Sequence, residues 1–511
     1  MASLVASLLS LFKPFNVFCG VGAYAFWKIF HALYLSPLRN VPGSFWMRIS
    51  KLPMFIADVR GTERDFMLRN YERYGSVFVM EPRKVAVCDP DDCAMILGSH
   101  AFAKDQKYAN VDFIEPNVFL TRDPELNKQR RRQIGPVLSA KNLKKMEDTI
   151  LDAGPRQLVA KWGQVADQGK ICYYYDFMLM TFDIIGSLGF GHAQRSLTTG
   201  DRRIAHWVKR SFMLLFLQAI APIAKSWPFK RVLAKSLYAD ANKLIELGSR
   251  AIEQRRELLL KEADANNKPA DILQAFIDAE DPESRIQMTK SQVVTETIIG
   301  LLAGSDTSSN TLAWTVHLLL MHPQHLERAT KEVRAVFARD HTITYEEAQE
   351  SLPFLEACMF ESLRLRPVTS NLPRCIPRGG VVLQGHFIPD GHSCSVSIVA
   401  ANMSSRVWAH PYKYLPERFL NNNIRKKRVL TFSTGVRVCP GRHLALMEIL
   451  TTLANILNAF DLKLPEDSLF GPERVDKQTG LPVLMPYSYA ITCAPRFPDR
   501  DCNVVISKRK D

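Results

Sequence analysis

Phe432-Ser433-Thr434-Gly435-Val436-Arg437-Val438-Cys439-Pro440-Gly441 is the stretch around which this chain is organised. Gly435 predicts a turn, because glycine adopts backbone conformations that a Cβ forbids. An apolar helix is predicted directly after the stretch, over 442–460. A cysteine at a helix N-terminus meets unpaired backbone N–H groups and the positive end of the helix dipole. These features lower a thiol pKa, so the pattern predicts that Cys439 is available as a thiolate ligand.

Five positions of this stretch carry a family resemblance. Phe432, Gly435, Arg437, Cys439 and Gly441 fill all five fixed positions of the haem-binding loop of the cytochrome P450 family, so the chain resembles these haem-thiolate monooxygenases. For the loop alone, the alternative is a buried free cysteine after a glycine turn. The resemblance implies a mostly α fold with a small β region, housing one haem b. It further implies that Cys439 is the axial ligand of the iron and that the other four residues bind the cofactor.

Length and composition narrow the classes of function. At 511 residues, 47% hydrophobic and 23% charged, the chain can build a large core and is not disordered. The net charge of +14 fits a generic basic enzyme, an anionic membrane surface or an acidic protein partner. Binding of nucleic acid is disfavoured, because the basic residues are dispersed and no helix-turn-helix or zinc-finger spacing occurs. Ten scattered cysteines indicate reduced thiols facing the cytosol rather than a disulfide framework.

The apolar N-terminus predicts a membrane anchor. The chain is apolar over 4–30, with Lys13-Pro14 as an interruption. A spanning helix needs about 20 mostly apolar residues, which this segment reaches if the lysine snorkels and the proline forms a kink. A cleaved signal peptide is the alternative. It is disfavoured because no small-residue cleavage site is evident and Trp27 and Tyr34 resemble interfacial anchors.

Two arginines outside the loop match positions at which the family binds the haem propionates. A basic helix is predicted over 127–138, and Arg131 stands four residues after Asn127. The family carries an aromatic residue or a histidine and then an arginine at this spacing. The resemblance therefore implies that Arg131 binds a propionate, whereas Asn127 departs from the pattern. Arg374 lies where the family places another propionate-binding arginine. For Arg131 the alternative is a solvated basic helix face.

A long helix predicted over 293–321 contains residues that contradict helix propensity. Gly304, Asp306 and Thr307 stand in its middle, and a local violation of this kind is typical of a functional site. Gly304 removes a side chain where a flat ligand would pass, and Thr307 can hydrogen-bond a carbonyl one turn back. The oxygen-binding groove of the family has an acid followed by a threonine, which implies that Asp306 and Thr307 are catalytic. The alternative is a tolerated glycine in an ordinary core helix.

A glutamate and an arginine form the last motif. Glu361 and Arg364 stand on one face of a predicted helix with apolar neighbours, which favours a buried pair over a solvated salt bridge. A buried pair needs a third partner. The family supplies one from the segment Pro416-Glu417-Arg418-Phe419, so the resemblance implies a structural triad of Glu361, Arg364 and Arg418.

The substrate pocket is assigned by analogy of position. In the family the irregular segment 98–126 covers the pocket, and the tip of a terminal hairpin, predicted over 482–492, reaches it near Tyr487. An apolar wall is expected from five side chains: Phe113, Phe119, Val368, Leu372 and Tyr487. Such a wall fits terpenoid, steroid, fatty-acid and aromatic skeletons alike. The character of the sequence suggests fungal secondary metabolism or xenobiotic hydroxylation.

The resemblance implies a monooxygenase that inserts one oxygen atom from O2 into an apolar small molecule, by hydroxylation or epoxidation. No flavin or nicotinamide fingerprint is evident, so electrons must come from another protein. The resemblance implies that NADPH-cytochrome P450 reductase delivers them from NADPH, with cytochrome b5 as a further candidate partner. An isomerase or dehydratase that needs no reductase, and a non-enzymatic haem binder, are the alternatives. The acid–threonine pair disfavours both.

The domain organisation follows from the anchor and the loop. We expect a membrane anchor and the start of a hinge over 1–36, and a haem-thiolate catalytic domain over 37–511. The expected location is the endoplasmic reticulum membrane, which the chain would cross once, with the catalytic domain in the cytosol.

Overall fold

The structure is a computed structural model that describes residues 14–111, 115–191, 194–261 and 271–510. Phe113 and the apolar run 4–12, both used in the sequence-based expectations, lie outside these residues. Within the described residues the fold is mostly α-helical with a small β region, as the sequence predicted.

Helices build the body of the protein. The longer ones are Pro14–Phe30, Glu63–Tyr74, Pro124–Ile134, Pro155–Val165, Tyr173–Phe190, Arg203–Ile220, Lys235–Lys261, Lys290–Leu320, Pro323–Val336, Pro353–Leu365 and Arg442–Ala459. The shorter ones are Phe45–Ile49, Leu52–Arg60, Pro90–Leu97, Gln106–Asn110, Ala140–Lys144, Glu147–Ala153, Ser196–Thr199, Trp227–Arg231, Ile272–Asp278, Tyr345–Ser351, Ile398–Asn402, Asn423–Arg428 and Pro498–Asp501.

Strands form four small sheets. The largest has four strands in the order Val77–Glu81, Lys84–Val87, Ser393–Ser397 and Asn371–Cys375, and its middle pair is parallel. The others are the hairpin Tyr487–Tyr489 with Cys493–Pro495, the pair Val381–Leu383 with His386–Ile388, and the three strands Lys170–Cys172, Asn503–Lys508 and Phe460–Lys463.

The helix Lys290–Leu320, hereafter the central helix, runs through the core. Its N-terminus is fixed by a capping box, in which Thr289 and Gln292 satisfy each other's backbone N–H groups. It ends just before Pro323, which starts the next helix. The helix Tyr173–Phe190 packs along it, and the helix Arg442–Ala459, hereafter the cysteine helix, also packs against it. The residues of the central helix are therefore almost enclosed, except around Ala303.

The N-terminal helix stands apart from this core. The stretch Phe15–Leu35 has 21 residues, a mean hydropathy of 1.2 and only 6% of its most apolar window buried, so it is long and apolar enough to cross a membrane. Phe15, Phe18 and Phe26 are at least 70% exposed. Chain burial begins directly after it, since Leu38 and Val41 are 1% and 2% exposed.

Candidate functional site

The loop before the cysteine helix folds back on itself around Cys439. The Cys439 N–H donates to the Phe432 carbonyl at 2.8 Å, which closes the loop. Cys439 is exposed at the surface of the loop. The protein atoms around it still desolvate the thiol, and this raises its pKa. A hydrogen bond from the Gly441 backbone and the charges of Arg131 and Arg442 act in the opposite direction. The expectation of a lowered thiol pKa is therefore wrong for the isolated chain, because desolvation outweighs the helix N-terminus.

Gly435 is required by a close approach of two backbones. Its φ is +56°, and a Cβ placed on it would lie 2.7 Å from the Cα of Gly98. Gly98 ends the helix Pro90–Leu97, so the loop of Cys439 is seated on the end of that helix. The sequence predicted the turn correctly. The structural reason for the missing Cβ is the contact with Gly98.

Three predicted arginines converge beside the loop. Arg131 Nη1 donates to the Val438 carbonyl at 2.8 Å, one residue before Cys439. Burial, followed by the charges of Arg374 and Arg131, lowers the pKa of Arg437 to about 10. Buried Nε atoms of Arg374 and Arg437 have no hydrogen-bond partner in the described part of the chain. Buried cations that repel one another and keep donors unpaired form a site for an anion.

Asn127 and Lys104 complete this cluster in ways that the sequence did not reveal. Asn127 is 1% exposed, and its Oδ1 accepts from Arg437 Nη1 at 2.9 Å and from Arg131 Nε at 3.3 Å. Its side chain therefore orients two arginines. Lys104 is 6% exposed, and burial together with Arg374, Arg437 and Arg131 holds its pKa well below the usual range. The signal for Lys104 is topological, because it lies opposite Arg374 in an isolated β-bridge.

The central helix brings an acid and two hydroxyls together. Thr307 Oγ1 donates to the Ala303 carbonyl at 2.5 Å, the one-turn-back bond that the sequence predicted. Thr492 Oγ1 donates to Asp306 Oδ2. Burial raises the pKa of Asp306, and the hydrogen bond from Thr492 and the charge of Lys209 act against that rise. An acid poised in this way can exchange protons with the adjacent space.

Gly304 has a different role from the one expected. A Cβ on Gly304 would lie 3.3 Å from Ile185 Cδ1, on the helix that packs along the central helix. The glycine therefore permits close helix packing, and the expectation that it clears room for a flat ligand is wrong. The positions that remain open are Gly300, where a Cβ would meet nothing within 4 Å, and the exposed Ala303. Both lie on the same helix face as Thr307.

The terminal hairpin also differs from the prediction. Its strands are Tyr487–Tyr489 and Cys493–Pro495, so its tip is 490–492 and Tyr487 lies at its base. The Tyr487 ring packs near the guanidinium groups of Arg64 and Arg366, at 5.9 and 5.8 Å. Thr492, at the tip, is the residue that reaches the central helix. The expectation that the tip lies near Tyr487 is therefore wrong, because the turn comes later in the chain than the apolar pattern indicates.

Glu361, Arg364 and Arg418 meet in the core. Arg364 binds Glu361 through two hydrogen bonds, Nε to Oε2 at 2.7 Å and Nη2 to Oε1 at 2.8 Å, and both side chains are 0% exposed. Arg418 Nε donates to the same Glu361 Oε1 at 3.2 Å. Arg364 Nη1 also donates to the carbonyls of Asn402 and Pro411. The pair therefore ties the helix Pro353–Leu365 to the chain ahead of the cysteine loop.

Similarity to known proteins agrees with this geometry. The family model described as Cytochrome P450 matches residues 47–490. The chain is 39% identical to cytochrome P450 monooxygenase helB2 of Aspergillus fumigatus, over 95% of this chain and 97% of that protein. It is 38% identical to cytochrome P450 monooxygenase helB1 of the same fungus, over 96% of this chain and 85% of that protein.

More distant matches show how widely the fold is shared. The chain is 29% identical to versicolorin B desaturase of Aspergillus parasiticus, over 87% of this chain and 90% of that protein. A crystal structure of the cytochrome P450DA heme domain superposes with a TM-score of 0.74 at 20% identity, covering 88% of this chain and 94% of that one. Sequence, architecture and the loop around Cys439 thus lead to one conclusion: the chain belongs to the cytochrome P450 family of haem-thiolate monooxygenases.

Proposed function

We propose that this enzyme inserts one oxygen atom from O2 into an apolar small molecule, with electrons delivered from NADPH by a separate reductase. The observation that carries the proposal is the acid–hydroxyl arrangement on the central helix. Asp306 is held by Thr492, and Thr307 lies on the open face with Ala303. A reaction that consumes protons beside a buried cofactor needs such a relay, whereas an isomerisation does not.

The residues present fit haem b. Cys439 would hold the iron as a thiolate, and the guanidinium groups of Arg131, Arg374 and Arg437 would pair with the propionates. The unpaired Nε atoms of Arg374 and Arg437 support this assignment, because two propionates would supply the missing acceptors. Phe432, Gly435 and Gly441 would shape the loop on the iron side. The bound haem supplies an oxygen-activating iron, and a thiolate ligand favours O–O cleavage.

The chain's own residues would control protons and water. Thr307 can hold a water against the open face of the central helix, since its hydroxyl accepts while it donates to Ala303. Asp306 can take up a proton on the side of the central helix where Lys209 lies and pass it on toward Thr307. The apolar side chains around this face would exclude bulk water, which strengthens each of these polar interactions.

The substrate class is an apolar skeleton from fungal secondary metabolism. Phe119 presents a ring that is 44% exposed, whereas Val368 is 7% exposed and contributes less open surface. The related fungal proteins support secondary metabolism, and one of them is named a versicolorin B desaturase. Product analysis after feeding a panel of terpenoids, steroids, fatty acids and aromatic compounds to cells that express the enzyme would identify the class.

The proposed location is the endoplasmic reticulum membrane, with residues 1–36 as the anchor and 37–511 as the cytosolic catalytic domain. The exposed apolar helix Phe15–Leu35 supports it. Removal of residues 1–36 should release much of the protein from membranes and leave the haem spectrum intact. A full-length protein that is freely soluble after lysis without detergent would contradict the anchor.

The proposed partner is NADPH-cytochrome P450 reductase, with cytochrome b5 as a second donor. Arg425, Lys427 and Arg428 are exposed on the short helix Asn423–Arg428, just before the cysteine loop. Together with the net charge of +14, they suit a partner with an acidic face. Reversal of these charges should slow electron transfer and make it less sensitive to salt.

One experiment tests both cofactor and reaction class. With carbon monoxide, the reduced protein should show the far red-shifted Soret band of a thiolate haem, and Cys439→Ala should abolish it. In Thr307→Ala, nicotinamide consumption should persist while hydrogen peroxide rises and product per nicotinamide falls, roughly a hundredfold if proton delivery fails fully. Unchanged coupling would remove Thr307 from the mechanism. Turnover without any nicotinamide would show an isomerase or dehydratase instead.

A further inference from the structure

Buried polar side chains bind both main-chain polar groups of Val118, its N–H and its carbonyl. The N–H of Val118 donates to Glu296 Oε1 at 3.0 Å. Its carbonyl accepts from Lys104 Nζ and from Asn127 Nδ2, each at 2.9 Å. Lys104, Asn127 and Glu296 are 6%, 1% and 3% exposed. Three buried side chains on these two main-chain groups exceed what backbone satisfaction requires, since one partner for each polar atom suffices.

The same side chains belong to the arginine cluster. The side-chain oxygen of Asn127 accepts from Arg437 and Arg131, and its amide nitrogen donates to the Val118 carbonyl. The family carries a Trp or a His at this position. A Trp could donate but not accept, and a His offers at most one acceptor, so neither side chain could make all three contacts. The departure of Asn127 from the family pattern thus creates a direct link from the arginines to the segment 115–121.

That segment carries Phe119, whose main chain contacts the cluster. Lys104 Nζ also donates to the Phe119 carbonyl at 2.6 Å, and Asn117 Oδ1 accepts from the Phe119 N–H at 3.1 Å. The Phe119 ring meets Tyr108 edge-on, with centroids 5.9 Å apart. The Tyr108 hydroxyl accepts from Arg374 at 3.4 Å. The main chain of Phe119 is therefore fixed while its ring remains 44% exposed.

We propose that Asn127, Lys104 and Glu296 clamp the main-chain N–H and C=O of Val118 and thereby couple the grip on the haem propionates to the position of Phe119 in the substrate pocket. This inference rests on the proposed haem site. These three are positioning residues. Asn127 contacts Arg131 and Arg437 directly, whereas Lys104 and Glu296 act on them through the main chain of Val118, which all three bind. A change at either end is transmitted, because the Asn127 amide is planar and cannot move its oxygen without moving its nitrogen.

The charges of Glu296 and Lys104 stabilise each other within the clamp. Burial raises the pKa of Glu296 to about 7, and the Val118 N–H, Arg130 and Lys104 act in the opposite direction. Arg130 Nε lies 3.7 Å from Glu296 Oε1. Lys104 has no carboxylate within salt-bridge distance among the described residues, and Glu296 is the acid that favours its charged form. Removal of one member leaves the others less well compensated.

Two measurements on the holoenzyme test the coupling. Hydrogen–deuterium exchange over 115–121 reports the clamp, and the rate of haem transfer to excess apomyoglobin reports the grip on the propionates. Asn127→Leu should raise both rates by roughly tenfold or more, because one lost buried hydrogen bond accounts for about tenfold and the variant loses the bond to Val118 and the two to the arginines. Asn142→Leu is the matched control, because Asn142 likewise donates to one backbone carbonyl, that of Val137, at 2.9 Å, and lies outside the cluster.

Glu296 provides the decisive variants, because it touches the Val118 N–H and none of the three propionate-binding arginines. Glu296→Leu should raise exchange over 115–121 and also accelerate haem loss, and Glu296→Gln, which keeps an acceptor, should restore both. If wild type fails to bind haem, the proposed function itself is wrong. If wild type binds haem, but Glu296→Leu loosens 115–121 without changing haem loss, or Asn127→Leu speeds haem loss without loosening 115–121, the coupling is wrong.

Discussion

The hydroxyl of Thr492 donates a hydrogen bond to Oδ2 of Asp306, so the tip of the terminal hairpin holds the acid of the central helix. This bond favours the charged form of a carboxyl whose pKa is raised by burial. The C-terminal part of the chain thus takes part in setting the proton affinity of a residue almost two hundred positions earlier, at a sequence separation of 186.

Thr492→Val should shift the pH dependence of coupling. Loss of a hydrogen bond to a carboxylate raises its pKa further. The acid limb of product formed per nicotinamide, plotted against pH, should therefore move to higher pH. Thr492→Ser keeps the hydroxyl and is the matched control. An unchanged profile in Thr492→Val would show that the bond only fastens the hairpin.

Gly435→Ala should weaken the haem loop. The new Cβ would lie 2.7 Å from Gly98 Cα and would sit on a backbone with φ of +56°. We expect a loss of about 1–3 kcal/mol and poor haem occupancy, measured by thermal unfolding and by haem content. Gly200→Ala isolates the backbone strain, because Gly200 has φ of +69° and nothing within 4 Å of its Cβ position. Equal losses in both variants would mean that the contact with Gly98 does not matter.

Arg364→Ala should prevent recovery of folded holoenzyme. It leaves Glu361 buried with only Arg418 and one backbone N–H as partners, at a cost of roughly 3–5 kcal/mol. Denaturant unfolding of the variant and its soluble yield would measure the loss. Arg156→Ala is the control, because Arg156 pairs with Asp152 at the surface and should change stability by less than about 1 kcal/mol. A well-folded Arg364→Ala enzyme would contradict a buried triad.

Glu448→Gln should remove a pH dependence of stability. Glu448 is 1% exposed on the cysteine helix, and the Ser308 hydroxyl is the polar group that favours its charged form. Burial raises the pKa of this carboxyl from 4.5 to about 8. Between these values the folded state keeps a proton that the unfolded state releases. The free energy of unfolding of wild type should therefore fall as pH rises, by up to about 1.4 kcal/mol per unit.

The test compares unfolding of wild type and variant at pH 5 and at pH 8. Relative to wild type, Glu448→Gln should gain stability as the pH is raised. Glu257→Gln, at an exposed position, should follow wild type. Parallel pH curves for wild type and Glu448→Gln would show that Glu448 ionises freely in the folded protein.

Local patterns predicted the elements well where a physical rule fixes their ends. Such a rule fixes the start of the helix Pro90–Leu97, because Asp89 caps it and Pro90 stands in its first turn. The pattern predicts the central helix over 293–321, and in the structure it starts three residues earlier, at Lys290. The cysteine loop needed only its five fixed residues, and the Glu361–Arg364 pair needed only its spacing and apolar neighbours.

Side-chain direction was harder, because it depends on packing between distant segments. Nothing local to Gly304 shows that Ile185 will lie against it. Lys104 joins the arginines only through a β-bridge to Arg374, which is 270 positions away. Asn127 looked like a weakened haem contact, and only the three-dimensional arrangement shows that it serves two arginines and a peptide group at once.

The hydrogen bonds at Val118 and Phe119 are made to main-chain atoms, and this has a consequence for how the enzyme can diversify. None of these hydrogen bonds involves the side chain at position 118 or 119; their partners are Lys104, Asn117, Asn127 and Glu296. Residue 119 can therefore change from one lineage or one round of laboratory selection to the next while its backbone stays in register. Substitutions at position 119 can change substrate choice with little loss of stability, which makes this position the first to randomise in a mutant library.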